Sequence, residues 1–552
     1  MHAGLSLVLV SVLCGQTLGF AWPFTAFAAT FANQDTPESE SDSDESGHRS
    51  VAIIGAGAGG SATAYYLQQF AAESGIDIDI TVFEKESYIG GRTTTVNAYG
   101  NHLEPVELGG SIFVEANEIL KNATAKFGLS TEGAITQEFE DIVGIWNGEK
   151  FVYTTKDSDS QWWDIAKLVW KYGFAPIKTQ RLMQTVVGRF KQIYTAPFFP
   201  FRSLSERAQD LDLLSATSLT GEQFLEKNGI SGGFTTDIIQ ASTRVNYGQN
   251  LGLIHGLETM VCMAIEGAMS VDGGNWQIFD SMVKHSNATL HLNSTVNSIT
   301  KSKGRYRLNT TSIDASSEET QRSTAFDTIV LAAPYKYAKI NVEEGLLKKI
   351  PDTVPYVSLH VTLFTSTHRF SRDFFNLGPN AEIPSTILTT LSPDEVLANP
   401  EKGVGKAGFF SISTLRTVIN PETLKMESLY KIFSPEPVTP EFLAKLFGTE
   451  MPVDLSKVTA DSGDAITWYY PHVWNSYPYE YPRVTFEETE LAPGFYYTSG
   501  MDSFISTMET NALMGMNIAR LVVDDYLPAE QAQDEPKLLE QKPLGSENGA
   551  EL

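Results

Sequence analysis

The run VAIIGAGAGGSATAYYL at residues 51–67, with ITVFEKESYIGGRTTT at 80–95, confines this chain to a narrow set of folds. Val51–Ile54 is a short apolar, β-branched run of the kind that fills a buried parallel strand. Gly55, Gly57 and Gly60 then satisfy G-x-G-x-x-G, with Gly59 a further small residue inside the turn. In that pattern the first glycine permits a tight turn and the second lets a pyrophosphate approach the backbone. The third lets the helix pack against the sheet. A helix from about Ser61 to Phe70 directs free amides and the positive end of its dipole at the phosphates. Ile80–Phe83 rebuilds an apolar strand, and Glu84, followed by Lys85, stands where an acid hydrogen-bonds a ribose 2′-hydroxyl. The order strand, glycine turn, helix, strand, acid predicts a bound dinucleotide.

The acid at Glu84 disfavours NADP, whose extra phosphate calls for an arginine there. Gly90-Gly91-Arg92 resembles the second glycine turn of the FAD-binding amine-oxidase superfamily, in which the arginine reaches toward the pyrophosphate. Glu107-Leu108-Gly109-Gly110-Ser111 is similar to that superfamily's next segment, which passes close to the flavin. The resemblance implies FAD, with a residue near Val296 meeting the adenine. Phe495–Asp502 resembles the last flavin segment: a strand ending at Gly500 brings Asp502 toward the ribityl chain, and a helix from about Ser506 to Tyr526 follows. The amides at Thr507-Met508-Glu509 then face the flavin pyrimidine, where a helix dipole stabilises negative charge on reduced flavin.

The fold expected is α/β: a Rossmann-like FAD-binding domain of the amine-oxidase type, interleaved with an α+β substrate domain. Flavin-binding segments are expected at 51–115, 271–334 and 481–527, with substrate-domain parts at 116–270 and 335–480. Leu5–Leu13 is an apolar core followed by small residues, so 1–28 reads as a secretory signal peptide. Residues 29–50 and 528–552 are acidic and of low complexity, and read as solvated spacer and tail. A formal charge of −27 makes nucleic acid an improbable partner. The two cysteines, one of them in the signal, exclude an internal disulfide and a cysteine-based metal site, and no other metal site is expected. Cys262, in an apolar run, reads as a buried structural thiol. Sequons at Asn122, Asn287, Asn293 and Asn309 suit the secretory pathway, with Asn293 least available because it lies in a strand-like alternation.

Beyond the flavin segments, Arg244-Val245-Asn246-Tyr247-Gly248-Gln249 and Met269–Asn275 resemble the prenylcysteine oxidase (prenylcysteine lyase) family. Leu429–Ser434 and the aromatic-Pro-His segment Tyr469–His472 match that family as well. The resemblance spans about residues 50–526. It implies a thioether oxidase that takes S-farnesyl- or S-geranylgeranyl-cysteine, O2 and water to cysteine, a prenyl aldehyde and hydrogen peroxide. It also implies a lysosomal, vacuolar or secreted location. The acidic spacer and tail are not part of the family pattern.

The chemistry removes a hydride from an allylic carbon bonded to sulfur, which calls for orientation and a dry apolar cavity more than a strong base. Asn246, Tyr247 and Gln249 suit placing a water or the amino-acid head. Arg244 suits either a bidentate grip on the substrate carboxylate or a structural ion pair. His472 suits proton transfer or a structural place.

Residues 162–201 are basic within an acidic protein, and Trp162, Trp163, Trp170, Phe174 and Phe198–Phe201 add aromatic rings. This pattern suits peripheral contact with a membrane, or equally a core helix pair with a solvated basic face. Two other functions stay open on sequence: a flavin amine or polyamine oxidase, and a flavin- or lipid-binding protein without turnover. The usual amine-oxidase lysine near the flavin cannot be assigned from sequence.

Overall fold

Three stretches of chain far apart in sequence build one six-stranded sheet. Its order is Glu490–Ala492, Phe495–Tyr497, Thr328–Leu331, Arg49–Ile54 (β1), Ile78–Phe83 (β2) and Thr289–His291. Every pairing is parallel except that of the Glu490–Ala492 edge. The computed structural model describes residues 48–131, 142–156, 168–314, 316–398 and 403–527. The expected signal peptide, the acidic tail, nearly all of the acidic spacer, and Trp162 and Trp163 lie outside the described residues.

The strands alternate between two covers, as a period of two requires. Val51, Ile53, Val82 and Val330 point to the helical side, where the helix Ala58–Glu73 (α1) packs beside the last helix, Met508–Tyr526. Ala52, Ile54, Phe83 and Ile329 point the other way, onto a four-stranded layer of Glu319–Phe326, Arg305–Ile313, Ser294–Ser302 and Asn341–Val342. Both faces are thereby buried, which is why Val51–Ile54 and Ile329–Leu331 are continuously apolar. The two helices approach closely: a Cβ on Gly515 would stand 2.3 Å from the Gly59 carbonyl oxygen.

A seven-stranded sheet forms the second unit, in the order Trp468–Pro478, Tyr356–Ser366, Met426–Ser434, Ser411–Ile419, Thr386–Thr389, Ile142–Trp146 and Phe151–Lys156. It is antiparallel apart from the pairing of Thr386–Thr389 with Ile142–Trp146. Helices Ala175–Phe190, Gln240–Tyr247 and Gly256–Cys262 lie between this sheet and the nucleotide unit in sequence, and contribute to the main core.

Several expectations shift. The continuous strand expected over Thr289–Ile299 is two strands in different sheets, because the chain turns at Asn293 with a left-handed φ of +49°. Asn293 is therefore exposed in a turn, whereas Asn309 sits half-buried on a strand and donates to Ser298 Oγ at 2.9 Å. The sequon that burial disfavours is Asn309 rather than Asn293. The last helix begins at Met508, capped by Thr507 and Thr510. Cys262 is buried, as its context implies. In the basic stretch, Phe201 is buried and Phe198 and Phe199 pack against the core, so the expected aromatic face is not continuous. No described helix is long and apolar enough to cross a membrane.

Candidate functional site

The crevice opens where β1 and β2 end. Gly55 turns with φ +104°, and a Cβ there would meet the Ala332 carbonyl oxygen at 2.7 Å. A Cβ on Gly60 would come within 1.9 Å of the Gly55 carbonyl oxygen, so the helix start can lie on the turn only with glycine. Gly57 is the N-cap of α1, whose first turn carries no acidic side chain to compete with an anion. Its nearest neighbours are Gly91 and Gly90, and the Gly90 amide donates to the Ala56 carbonyl at 2.9 Å. Two glycine turns thus face each other and leave a backbone-lined cradle. Gly59 has a different part: it lies against Thr498 and Asn511 and serves helix packing rather than ligand contact.

Glu84 is buried, and its carboxylate accepts from the Ala56 amide at 2.7 Å and the Glu86 amide at 2.9 Å. Burial raises its pKa and the two amides hold it back. A carboxylate has about four lone-pair sites, so it retains acceptors for ribose hydroxyls. Lys85 lies outward at the rim, 3.7 Å from Glu86. Val296, expected at the adenine, has its side chain buried at 3 % exposure with Phe83 and Ile299. At that edge it is the backbone of neighbouring Ser294 that meets Glu84, its amide donating to the Glu84 carbonyl at 2.8 Å.

Asp502 is the best-connected acid of the crevice. Arg92 Nη2 lies 3.3 Å from both of its oxygens, and Asn511 Nδ2 (2.8 Å), Tyr356 Oη (3.0 Å) and Ser506 Oγ (3.3 Å) donate to it. Arg92 also donates through Nη1 to the Ser476 carbonyl. The second glycine turn and the last flavin-type segment are therefore bound through one ion pair, with Gly500 buried just before it. Gly110 turns with φ +62°, and a Cβ there would reach Met508 Sδ at 3.0 Å. Gly109 faces the Arg92 carbonyl and the Trp474 indole. Glu509 does not face this crevice with its side chain. Its carboxylate accepts from the amides of Ile119 (2.9 Å) and Leu120 (3.0 Å) and from Tyr194 Oη (2.9 Å), capping the helix Glu118–Lys126. Burial pushes its pKa up to about 7.

A lysine does reach the flavin-type segment. Lys431, on the inner strand Met426–Ser434, is buried and donates to the Glu107 carbonyl at 2.7 Å and to Ser111 Oγ at 3.1 Å. Burial lowers the Lys431 pKa and raises that of Glu107, whose Oε1 accepts from the Asn275 amide at 2.6 Å. The sequence signal for Lys431 was a single lysine inside the apolar strand run Leu429–Phe433.

The predicted substrate residues do not converge. Arg244 is fully buried and its donors meet Thr389 Oγ1, Asn250 Oδ1 and the Val404 carbonyl, with no ion pair to a carboxylate among the described residues. Burial lowers its pKa to about 9. It fastens the helix Gln240–Tyr247 to the second sheet, and a grip on substrate carboxylate does not fit. Gln249 ties the chain to the end of strand Trp468–Pro478, donating to the Pro478 carbonyl and accepting from the Glu480 amide. Asn246 bonds back to the Ser242 carbonyl at 3.0 Å. Tyr247 packs edge-on against Tyr477 at 4.8 Å. His472 lies beside Trp474, with ring centroids 4.1 Å apart, and burial lowers its pKa. Tyr477 lies five steps further along the same strand, roughly 16 Å away, so His472 is not brought to Tyr247. Tyr356, Asn511, Ser506 and Lys431 are the site residues that sequence reasoning missed.

The comparisons agree with this geometry. Residues 53–126 match the model of an NAD(P)-binding Rossmann-like domain, and residues 155–535 match the prenylcysteine lyase model. Farnesylcysteine lyase of Arabidopsis thaliana is 26% identical over 505 residues, covering 88% of this chain and 90% of that protein. Prenylcysteine oxidase 1 of Homo sapiens is 28% identical over 496 residues, covering 85% and 88%. Among solved structures, a putrescine oxidase variant superposes with a TM-score of 0.52 at 14% identity, covering 87% of this chain and 99% of that one. A fatty acid isomerase from P. acnes superposes at 0.54 with 13% identity, covering 86% and 99%. At such identities the superpositions speak to the fold, an amine-oxidase-like arrangement of the two sheets. The family match extends through the second sheet, including Lys431, to beyond Asp502, and by it the chain belongs to the prenylcysteine lyase family.

Proposed function

We propose that the protein is a FAD-dependent thioether oxidase that cleaves S-prenyl-L-cysteine. The observation that carries this is the joining of the second glycine turn, itself facing the first, to Asp502 through Arg92, in a chain whose family match covers 155–535. FAD fits the backbone cradle at Gly55–Gly57 and Gly90–Gly91, the ribose acceptor Glu84, and the amides at Met508. Bound FAD supplies an acceptor for the hydride of the carbon between sulfur and the alkene, and O2 takes up the two electrons as peroxide. Water supplies the oxygen of the prenyl aldehyde, and the carbon–sulfur bond breaks to release cysteine. The chain's own residues orient and exclude water. Trp474 and Tyr356 wall the crevice beside Gly109 and Arg92, and Lys431 holds a proton at Nζ next to Ser111. A lysine with a lowered pKa exchanges that proton more readily near neutral pH.

The test is flavin bleaching without oxygen and peroxide release with it, using farnesylcysteine, geranylgeranylcysteine and a panel of amines. Bleaching by either prenylcysteine is expected. Bleaching by an amine alone would make the protein an amine oxidase, and a yellow protein bleached by none would make it a carrier.

The secretory pathway, ending in a lysosome, a vacuole or outside the cell, is the location we propose. Asn122, Asn287 and Asn293 are exposed, which supports glycosylation. A shift in mobility on enzymatic deglycosylation of the protein from its own cells tests it. Contact with an anionic membrane is proposed as the route of a lipid-soluble substrate. Trp170 is 90% and Phe174 70% exposed, next to the exposed Lys178 and Arg181 on the helix Ala175–Phe190. Lys171 and Lys191 are already paired with Asp237 and Glu118. Trp170→Ala with Phe174→Ala is expected to weaken binding to phosphatidylserine vesicles. Unchanged binding by the folded variant would remove this route.

A further inference from the structure

Behind the Ser499–Ser506 segment lies a closed interior in which acidic groups meet without counter-ions. Glu258, on the helix Gly256–Cys262, is 0% exposed, and Glu480 is 1% exposed. Neither oxygen of either side chain forms a hydrogen bond of ordinary geometry among the described residues. Nε2 of fully buried His255 is also unpartnered, 3.5 Å from Glu480 Oε2. Nδ1 of that ring accepts from the Glu258 amide at 3.1 Å, so the neutral ring carries its proton on Nε2. Burial lowers the His255 pKa to about 3, which leaves the ring unable to neutralise a carboxylate. Arg92 is engaged with Asp502, and Arg483 is a half-exposed residue that acts on the pair without touching it.

Two carboxylates in such a place carry a desolvation cost of several kcal/mol each, with their repulsion added. At least one of them must therefore hold a proton. We propose that Glu258 and Glu480 are carboxylic acids in the working enzyme, and that this protonated pair is the positioning element for the turn that presents Asp502. As an acid, Glu258 keeps a carbonyl acceptor for the Tyr247 hydroxyl and the Ser506 amide, both of which adjoin it, without adding charge to the interior. The pair thereby gives Tyr247 a function other than contact with substrate. Ionisation would place negative charge beside Asp502, which both glutamates already feel electrostatically, and would compete with Asp502 for the Arg92 guanidinium, which Glu480 also feels. Cys262 and Tyr477, the other titratable groups facing the pair, have pKa values raised by burial and stay neutral. Grip on the cofactor is then strongest at acidic and neutral pH and loosens in the alkaline range.

This inference rests on the FAD reading for its consequence, but not for its first test. Infrared spectra of the holoenzyme should show a protonated-carboxyl band at about pH 6 that is weaker in Glu258→Gln and in Glu480→Gln. Identical spectra of wild type and both variants would overturn the proposal, whether or not flavin is bound. In the second arm, free FAD is measured by fluorescence after filtration. Its release should rise roughly tenfold between about pH 6 and pH 9 in wild type and hardly at all in the double glutamine variant. An equal rise in both would overturn it. Should the double variant fail to fold, each single variant is expected to show an intermediate rise.

Discussion

Arg92 and Asp502 stand 410 residues apart in the chain and meet with Nη2 3.3 Å from each carboxylate oxygen. One belongs to the turn after β2 and the other to the turn before the last helix. Their pairing sets the width of the crevice, because Arg92 also reaches the Ser476 carbonyl on the second sheet. Three parts of the fold are thus referred to one guanidinium.

Arg92→Met removes that reference and leaves Asp502 with neutral donors alone. FAD affinity is expected to fall roughly tenfold to a hundredfold, as for loss of a charge-assisted hydrogen bond. Equilibrium titration of apoprotein with FAD measures it, and affinity within twofold of wild type would contradict it.

Arg244→Met tests a residue that sequence alone left undecided. Its guanidinium holds Thr389 and Asn250 inside the core and forms no ion pair among the described residues. The variant should lose about 2–4 kcal/mol of stability in urea unfolding, from stranded buried acceptors. Its KM for prenylcysteine should change little. A large rise in KM at unchanged stability would restore it to the substrate site.

Lys431→Met should slow turnover by roughly ten- to a hundredfold, since it removes the buried cation beside Ser111. FAD content should be preserved, because Lys431 lies outside the cradle and the ribose acceptor. Stopped-flow absorbance separates the reductive half-reaction from the oxidative one and shows which is slowed.

Stability should fall as pH rises from acidic to neutral. Glu509 goes from an ordinary pKa of 4.5 to about 7 on folding, so the unfolded chain ionises first and gains as pH climbs through that window. Burial raises Glu107, Glu258 and Glu480 in the same sense. His255, lowered from 6.5 to about 3, works in the opposite sense below pH 6.5, as do His291 and His472, but these three are outnumbered by the raised carboxylates, which include Glu84 and Glu487. Calorimetry should give a lower Tm at about pH 7.5 than at pH 5.5. A Tm that rises with pH over that interval would reverse the sign assigned to these groups.

The nucleotide unit was largely legible because its signals are local. Gly55, Gly57, Glu84 and Arg92 lie within forty residues of each other, and each has a backbone reason for its place. The side-chain roles stayed open where meaning depends on which strand faces which. Arg244 looks identical in sequence whether it meets a substrate or Thr389. Glu509 follows the flavin-type turn, yet its carboxylate caps a helix some 390 residues earlier in the chain. Lys431 became meaningful only once the second sheet set it against Ser111. Long-range pairing decided these cases, and a linear pattern does not record it.

The six-stranded sheet carries one more consequence, for synthesis. Its strand Phe495–Tyr497 pairs beside Thr328–Leu331, and the last helix covers α1, so the crevice stays open on one side until about residue 526 has emerged. Nascent chains must hold their amino-terminal glycine turns unliganded through most of translation, with apolar strand edges unsatisfied. A stop codon at residue 480 would therefore abolish cofactor loading as completely as a side chain at Gly55. The same ordering makes cofactor uptake a natural checkpoint for chain completion.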